Sequence, residues 1–499
     1  MTDATSAGSY DDTDDSGESG ESELRRARER YAPGRALFLL LLGFVLLLPL
    51  PLGAVARLSW WVIALYVGLL LAAHAASLMR PGAVIGQRVA PNGPWIVPFL
   101  LTAAWAALQL SPWTPAAWHN PLWQTAAGLL QTPLAGAISI DPDDTAAAII
   151  RLLAYGGIFW LAMQLCWPRR RAETLFLALS FAAFAYSAYG LIEEFSGAKM
   201  VLWFPKSAYF NSVTSTFINR NNYAAYGGLG LICASGMIIK ELAMLVSRQP
   251  SRRAEFLALL EALAGWRGIL LVGWVVSCAA LAMSDSRGGV VSTFAGLLAL
   301  VAAVGVSRTL QRRYVLIIAG SVLAAGIAVS SLNGAQLVER LAETDLSQEG
   351  RPLVYALLRH QIAEAPWLGT GYGTFEEAFR PIQSAAIRGR WDRAHDTYLE
   401  NALELGIPAA LLLTLSGAAL FIRCLFGLRA RHRDAIYPAI GIGASVLLAC
   451  HSLVDFSLQI PAITATYALI MGAAVIQSWP RRALPAENYR SAATRSNSA

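Results

Sequence analysis

Residues 332–405 read LNGAQLVERLAETDLSQEGRPLVYALLRHQIAEAPWLGTGYGTFEEAFRPIQSAAIRGRWDRAHDTYLENALEL, the one long polar segment of a chain otherwise made of apolar runs. The segment holds Arg351, His360, Arg380, Arg388, Arg390, Arg393 and His395. Only 14% of the 499 residues are charged and 56% are hydrophobic, with a mean hydropathy of +0.47. A soluble chain of this length carries about 25% charged residues. On both sides of 332–405, apolar runs close to the length needed to cross a hydrocarbon core of roughly 30 Å recur. They do not alternate as barrel strands do. The composition therefore predicts an all-α polytopic membrane protein whose chemistry sits in one large loop.

The apolar runs are 36–55, 59–78, 95–110, 145–166, 173–192, 222–246, 268–283, 289–306, 314–331, 406–426, 436–451 and 459–476. They predict about 12 transmembrane helices, with the partly helical loop before helix 10. The basic residues orient them. Alternate gaps hold Arg80 and Arg88, Arg169 to Arg171, Arg248 with Arg252 and Arg253, Arg308 with Arg312 and Arg313, and Arg429 with Arg431 and Arg433. Gaps 111–144 and 452–458 hold no Lys or Arg. By the positive-inside rule both termini are cytoplasmic and 332–405 faces the periplasm. Residues 1–35 form a tail, acidic and then basic, whose first part cannot bury enough apolar surface to fold. Spans occupy 36–331 and 406–476, and 477–499 is a second cytoplasmic tail.

The net charge of +6 does not point to nucleic acid, because most arginines lie in short loops where topology accounts for them. The five cysteines lie in or beside apolar runs without CxxC spacing and read as buried small hydrophobes. Neither HExxH nor a Cys/His cluster is present, and no metal or cofactor is implied. Gly369, Gly371 and Gly373 lack a following GK[ST] and read as a turn after a helix.

Arginines on the outward side need another reason. Arg220 lies just before one span, Arg287 lies in a tight turn between two, and Arg351 precedes an amphipathic helix ending near Pro366. Each alone can snorkel to headgroups or pair with Asp285, Glu193 or Glu349. Together they suit an anion such as a diphosphate, because guanidinium is a planar, permanently charged fork of donors. His395 opens a helix running toward the tenth span, with Asp396 placed to cap it. An imidazole at that boundary titrates near neutral pH and can take a proton from a hydroxyl, or simply sit at the interface. His451 and Asp455 read as a further outward polar pair. Arg388 is a candidate on the acceptor side.

These residues lie in motifs that resemble the O-antigen ligase and polymerase superfamily of bacterial envelope glycosyltransferases. The likeness rests on FINRNNYAAYGG (217–228), SDSRGG (284–289), GRPLVYALLRHQIAEAPWLGTGYGTF (350–375), AHDTYLENALELGIPAALLL (394–413) and HSLVDFSLQIP (451–461). It implies an inner-membrane enzyme that moves a glycan from undecaprenyl diphosphate to an acceptor hydroxyl, without metal or nucleotide sugar. The acceptor would be lipid A–core for a ligase or a growing polysaccharide for a polymerase. Residue by residue it puts Arg220 and Arg287 on the donor diphosphate, Arg351 beside them, and His395 in the role of base. Many relatives carry Asn where this chain has Asp396, a carboxylate that could raise the basicity of His395. A lipid-linked sugar transporter is the rival from another class. The spans look nearly free of charge and show no repeated halves, which favours the enzyme.

Overall fold

The computed structural model describes residues 34–79, 93–247, 249–332, 350–430 and 434–479. The expectations for the two tails, for Arg80, Arg88, Arg248, Arg431 and Arg433, and for the first part of the loop fall outside these residues.

The described chain is mainly helical. The helices are α1 (Gly34–Leu47), α2 (Arg57–Leu78), α3 (Ile96–Gln109), α4 (Leu122–Leu130), α5 (Pro142–Leu165), α6 (Arg169–Ser196), α7 (Arg220–Val246), α8 (Arg252–Leu263), α9 (Trp266–Ala282), α10 (Arg287–Ser307) and α11 (Arg312–Leu332). After the loop's undescribed part come α12 (Arg351–Glu364), α13 (Phe375–Phe379), α14 (Thr397–Leu405), α15 (Ile407–Ala430), α16 (Ile436–His451) and α17 (Pro461–Gln477). A small antiparallel hairpin, β1 (Met200–Val201) and β2 (Phe204–Pro205), was not anticipated. Each predicted span coincides with a helix. Six of these helices are long and apolar enough to cross a bilayer, or seven if the bent pair α8–α9 is one span. The helices α1, α3, α16 and α17 are shorter. The first predicted span ends early, because Pro49 and Pro51 follow α1 and neither can supply a helical N–H.

The bundle is organised around α7, which packs on α6, α9, α10, α16 and α17. Small residues let these backbones approach. A Cβ added at Gly230 would lie 2.0 Å from that of Ala183 on α6, and one at Gly236 would lie 2.4 Å from Ile440 on α16. Gly296 and Gly443 face each other across α10 and α16, where a Cβ on either would meet the other's carbonyl within 3 Å. Packing of this kind, rather than hydrophobic burial, is what joins helices in lipid. Leu65, Leu69, Leu100, Val272 and Leu415 point outward, as a hydrocarbon surroundings requires.

At one end of the bundle the basic residues are paired. Arg169 meets Asp434 at 3.0 Å, Arg267 meets Glu241 at 2.8 Å, Arg313 meets Glu255 at 3.1 Å, and Lys240 meets Glu173. At the other end the loop builds a small core of its own. Val354, Leu358 and Ile362 from α12 pack on Phe375 and Phe379 of α13 and on Leu403 of α14. The spans are less free of charge than they read, since Arg151, Lys240 and Glu241 are buried within them.

Candidate functional site

Three chain segments meet where α7 and α10 begin. Asn219 caps α7, its side chain accepting from Asn221 N–H at 2.8 Å, which leaves Arg220 as the first helical residue. Ser286 caps α10 in the same manner, leaving Arg287 at its start. Both guanidinium groups therefore sit where helix N-termini present unsatisfied N–H groups, and both favour an anion. The two caps are laced together. Ser286 Oγ donates to Asn221 Oδ1 at 2.8 Å, and Ser212 Oγ accepts from Arg220 at 3.3 Å while donating to Asp285 at 3.0 Å. Tyr209 lies 5.2 Å from the Arg220 guanidinium, and Lys206 holds the Ser212 carbonyl at 2.9 Å. Arg287 is exposed and has no hydrogen-bond or ion-pair partner among the described residues.

The turn after α16 closes against this pair. A Cβ on Gly288 would lie 2.9 Å from Val454 and 3.9 Å from the His451 ring. The next residue of the turn, Asp455, is buried, and its Oδ1 lies 3.3 Å from His395 Nδ1. That separation suits an ion pair, although the N–H direction is not aligned for a hydrogen bond, and the Asp455 Oδ2 is unpartnered among the described residues. Oδ1 is held in place by Phe456 N–H at 2.8 Å. With Nδ1 turned to a carboxylate, the imidazole presents Nε2 to an incoming hydroxyl.

His395 has φ of +55°, the left-handed region that side chains other than Gly avoid. The surroundings hold it there. Tyr355 Oη donates to the His395 carbonyl at 2.7 Å, and buried Glu400 accepts from Ala394 N–H at 2.8 Å. The ring stands edge-on between Trp391 and Phe456, at 5.5 and 4.8 Å between centroids. Strain of this kind, held by several neighbours, is characteristic of functional positions. Asp396 is the N-cap of α14, and its Oδ1 accepts from Tyr398 and Leu399 N–H at 2.9 and 3.0 Å. Burial pushes its carboxyl up, against those two donors. The carboxylate beside the imidazole is thus Asp455 rather than Asp396, because the cap geometry turns Asp396 toward its own helix.

The remaining candidates separate. Arg351 starts α12 beside Trp391, whose ring lies 3.1 Å from where a Gly350 Cβ would be, and its charge acts on His451. His451 does not pair with Asp455. Its Nδ1 is 2.8 Å from Ser457 Oγ. The exposed Arg388 contributes its carbonyl to Trp391 Nε1 at 3.2 Å, and among the described residues no contact joins its side chain to the site. Sequence reasoning missed Glu400 and Tyr355, which only the folded loop brings to residue 395. It also missed Arg151, although a lone arginine inside AAAIIRLLAYGG was a visible signal.

Behind the site, Gly369, Gly371 and Gly373 adopt φ of +71°, +111° and +89° and thread between α14 and the start of α5. A Cβ on Gly369 would fall 2.2 Å from the Glu404 carbonyl oxygen, which only Gly can avoid. Glu404 receives Gly373 N–H at 2.8 Å and Phe375 N–H at 3.0 Å. Burial, with Glu400 nearby, pushes its carboxyl up to about 8. Arg393 lies 3.7 Å from Glu400 and offsets part of the upward push that burial gives that carboxyl.

A search of the curated proteins finds no match. Residues 272–414 match the family described as O-Antigen ligase, which is less than a third of the chain. The matched segment runs from α9 into α15 and includes Arg287, Arg351 and His395, while Arg220, His451 and Asp455 lie outside it. With its apolar helices, the match indicates an integral membrane protein of the ligase and polymerase type of glycosyltransferase, a class acting on lipid-linked glycans and polysaccharides. Over residues 272–414 the chain is thus similar to the O-antigen ligase family.

Proposed function

We propose that the protein transfers a glycan from undecaprenyl diphosphate to an acceptor hydroxyl at the periplasmic face of the bacterial inner membrane, acting as a ligase. Arg220 and Arg287 hold the donor diphosphate, and Arg351 adds positive charge from the loop. As the bond from the sugar's anomeric carbon to the diphosphate oxygen breaks, negative charge builds on the leaving group, and guanidinium groups fixed in advance stabilise it. The acceptor oxygen forms the new bond to that carbon, and its proton passes to His395 Nε2. Asp455 keeps the ring oriented and stabilises the imidazolium that forms. No step requires a metal ion, since the arginines supply the positive charge.

The observation that carries this reading is the contact chain from the Arg220 and Arg287 helix starts, through Gly288 and Val454, to Asp455 and His395. The test uses purified protein in detergent with a lipid-diphosphate glycan and an acceptor. Product should form without an ion gradient, and His395→Ala should lower the rate by about 10²–10⁴-fold. A wild-type rate in that variant would overturn the assignment of the base. Deleting the gene separates ligase from polymerase, because loss of all attached polymer marks a ligase and single-repeat decoration marks a polymerase.

A further inference from the structure

Away from the arginine pair lies a cavity of about 1120 Å³. It is lined by α3, α5, α15, α16 and α17, with Tyr372 and the first turns of α14 at one end. Its walls are mainly apolar, with Phe99, Leu152, Leu420, Phe421 and Leu448 among them. Its volume exceeds the roughly 300–1,000 Å³ usual for small-molecule pockets.

One charge faces this space. Arg151 lies nine positions beyond the start of α5, about 14 Å along the axis at 1.5 Å per residue. It is only 8% exposed, and its guanidinium stacks 3.9 Å from the Trp60 ring. Its Nε has no partner, and no carboxylate comes within ion-pair distance among the described residues. The neighbouring acids are otherwise engaged, Glu404 by two backbone N–H groups and Glu400 by Ala394 and Arg393. One turn below, the buried Tyr155 hydroxyl is also unpartnered, and Asn401 lines the same wall. A buried cation left without a counter-charge is strongly disfavoured. An aromatic face offsets only part of that, at about 2 kcal/mol or more when desolvated.

An unpaired guanidinium and an unpaired hydroxyl at the head of a long apolar chamber match an amphiphile with one anionic group. We propose that this cavity is a second lipid site, separate from the Arg220–Arg287 pair, holding the chain of a phosphate-bearing lipid with its phosphate on Arg151. Arg is suited to phosphate through paired N–H donors. Tyr155 and Asn401 add donors, and the chain runs down between α15 and α17. The site's mouth includes Thr397 and Ser452, joined by Thr397 N–H to the Ser452 carbonyl at 2.9 Å. A lipid there ends close to His395. Its source is either a bilayer phospholipid or a phosphorylated glycolipid.

Delipidated full-length protein in detergent, titrated with hexadecyl phosphate or hexadecanol and read by native mass spectrometry, tests this. The phosphate should bind on the order of 10-fold more tightly, the value of one charge-assisted contact. Arg151→Gln should abolish that preference. Gly417→Phe should weaken both ligands, because Gly417 lines the cavity and a Cβ there meets nothing within 4 Å, so the ring enters empty space without distorting α15. His395→Ala should leave both unchanged, which separates this site from the transfer reaction. Equal binding of the two probes to wild type, or a Gly417→Phe variant that binds as wild type does, would overturn the proposal. Replacing hexadecyl phosphate by phosphatidylglycerol or by a phosphorylated diglucosamine lipid then names the source. Arg151-dependent binding of either supports the site, and binding of neither sinks it.

Discussion

At the scale of the residue, the pairing of His395 with Asp455 makes a sharper claim than either side chain alone. The carboxylate acts through the imidazole, so Asp455→Asn should lower transfer by roughly 10–100-fold, less than loss of the base itself. The loss should fall on kcat, with KM for the donor little changed, and steady-state assays would record it. A purely structural role would instead lower the amount of folded protein. Arg287 is exposed and unpartnered among the described residues. Arg287→Lys keeps the charge and removes the planar fork, and it should cost on the order of 10-fold in kcat/KM for the lipid-diphosphate donor. An unchanged kcat/KM would mean that charge alone serves. The identity of His395 as a candidate was legible in AHDTYLE beside an apolar span. Its carboxylate partner was not, because Asp455 is sixty positions away and the adjacent Asp396 offered a simpler pairing.

At the scale of the element, α14 is short but fixes the loop. Its N-cap sets the turn at His395, Glu400 ties that turn back, and Glu404 gathers the glycine segment. Glu404 titrates about 8 when folded against an ordinary carboxyl value of 4.5. A raised folded value means that the folded state holds the proton more tightly. This contribution to stability is complete below about pH 4.5 and is lost as pH rises through 8. Thermal unfolding in detergent should therefore show the loop weakening from pH 5 to 8. Glu404→Gln should flatten that slope, while lowering stability at pH 5 by about 1 kcal/mol through one lost acceptor. A slope unchanged by the substitution would assign the pH dependence elsewhere. The helices themselves were readable from apolar runs and from Pro, Gly and Asx punctuation. The loop's own core around Phe375 and Phe379 was not, since residues 375–387 show no long periodic pattern.

At the scale of the whole molecule, the site exists only where α7, α10, the turn after α16 and the loop abut. Gly288 is where α10 meets the turn after α16, with 2.9 Å between a would-be Cβ and Val454. Gly288→Val should push α10 from the turn and lower transfer by up to about 10²-fold, with little loss of folded protein, because small misplacements disrupt reacting geometry. Activity assays beside size-exclusion profiles would check both halves, and a fully active variant would show that the junction tolerates movement. What the amino-acid sequence determined alone is the apolar helical chain, the one polar loop and the kinds of residue able to handle a diphosphate and a proton. Those follow from local composition and from spacing along one helix. Which carboxylate faces the imidazole, which serines lace the arginine-bearing caps and where Arg151 is buried depend on contacts between distant segments. The tertiary structure alone decided these, because close helix packing at glycines, and not sequence separation, sets which side chains meet.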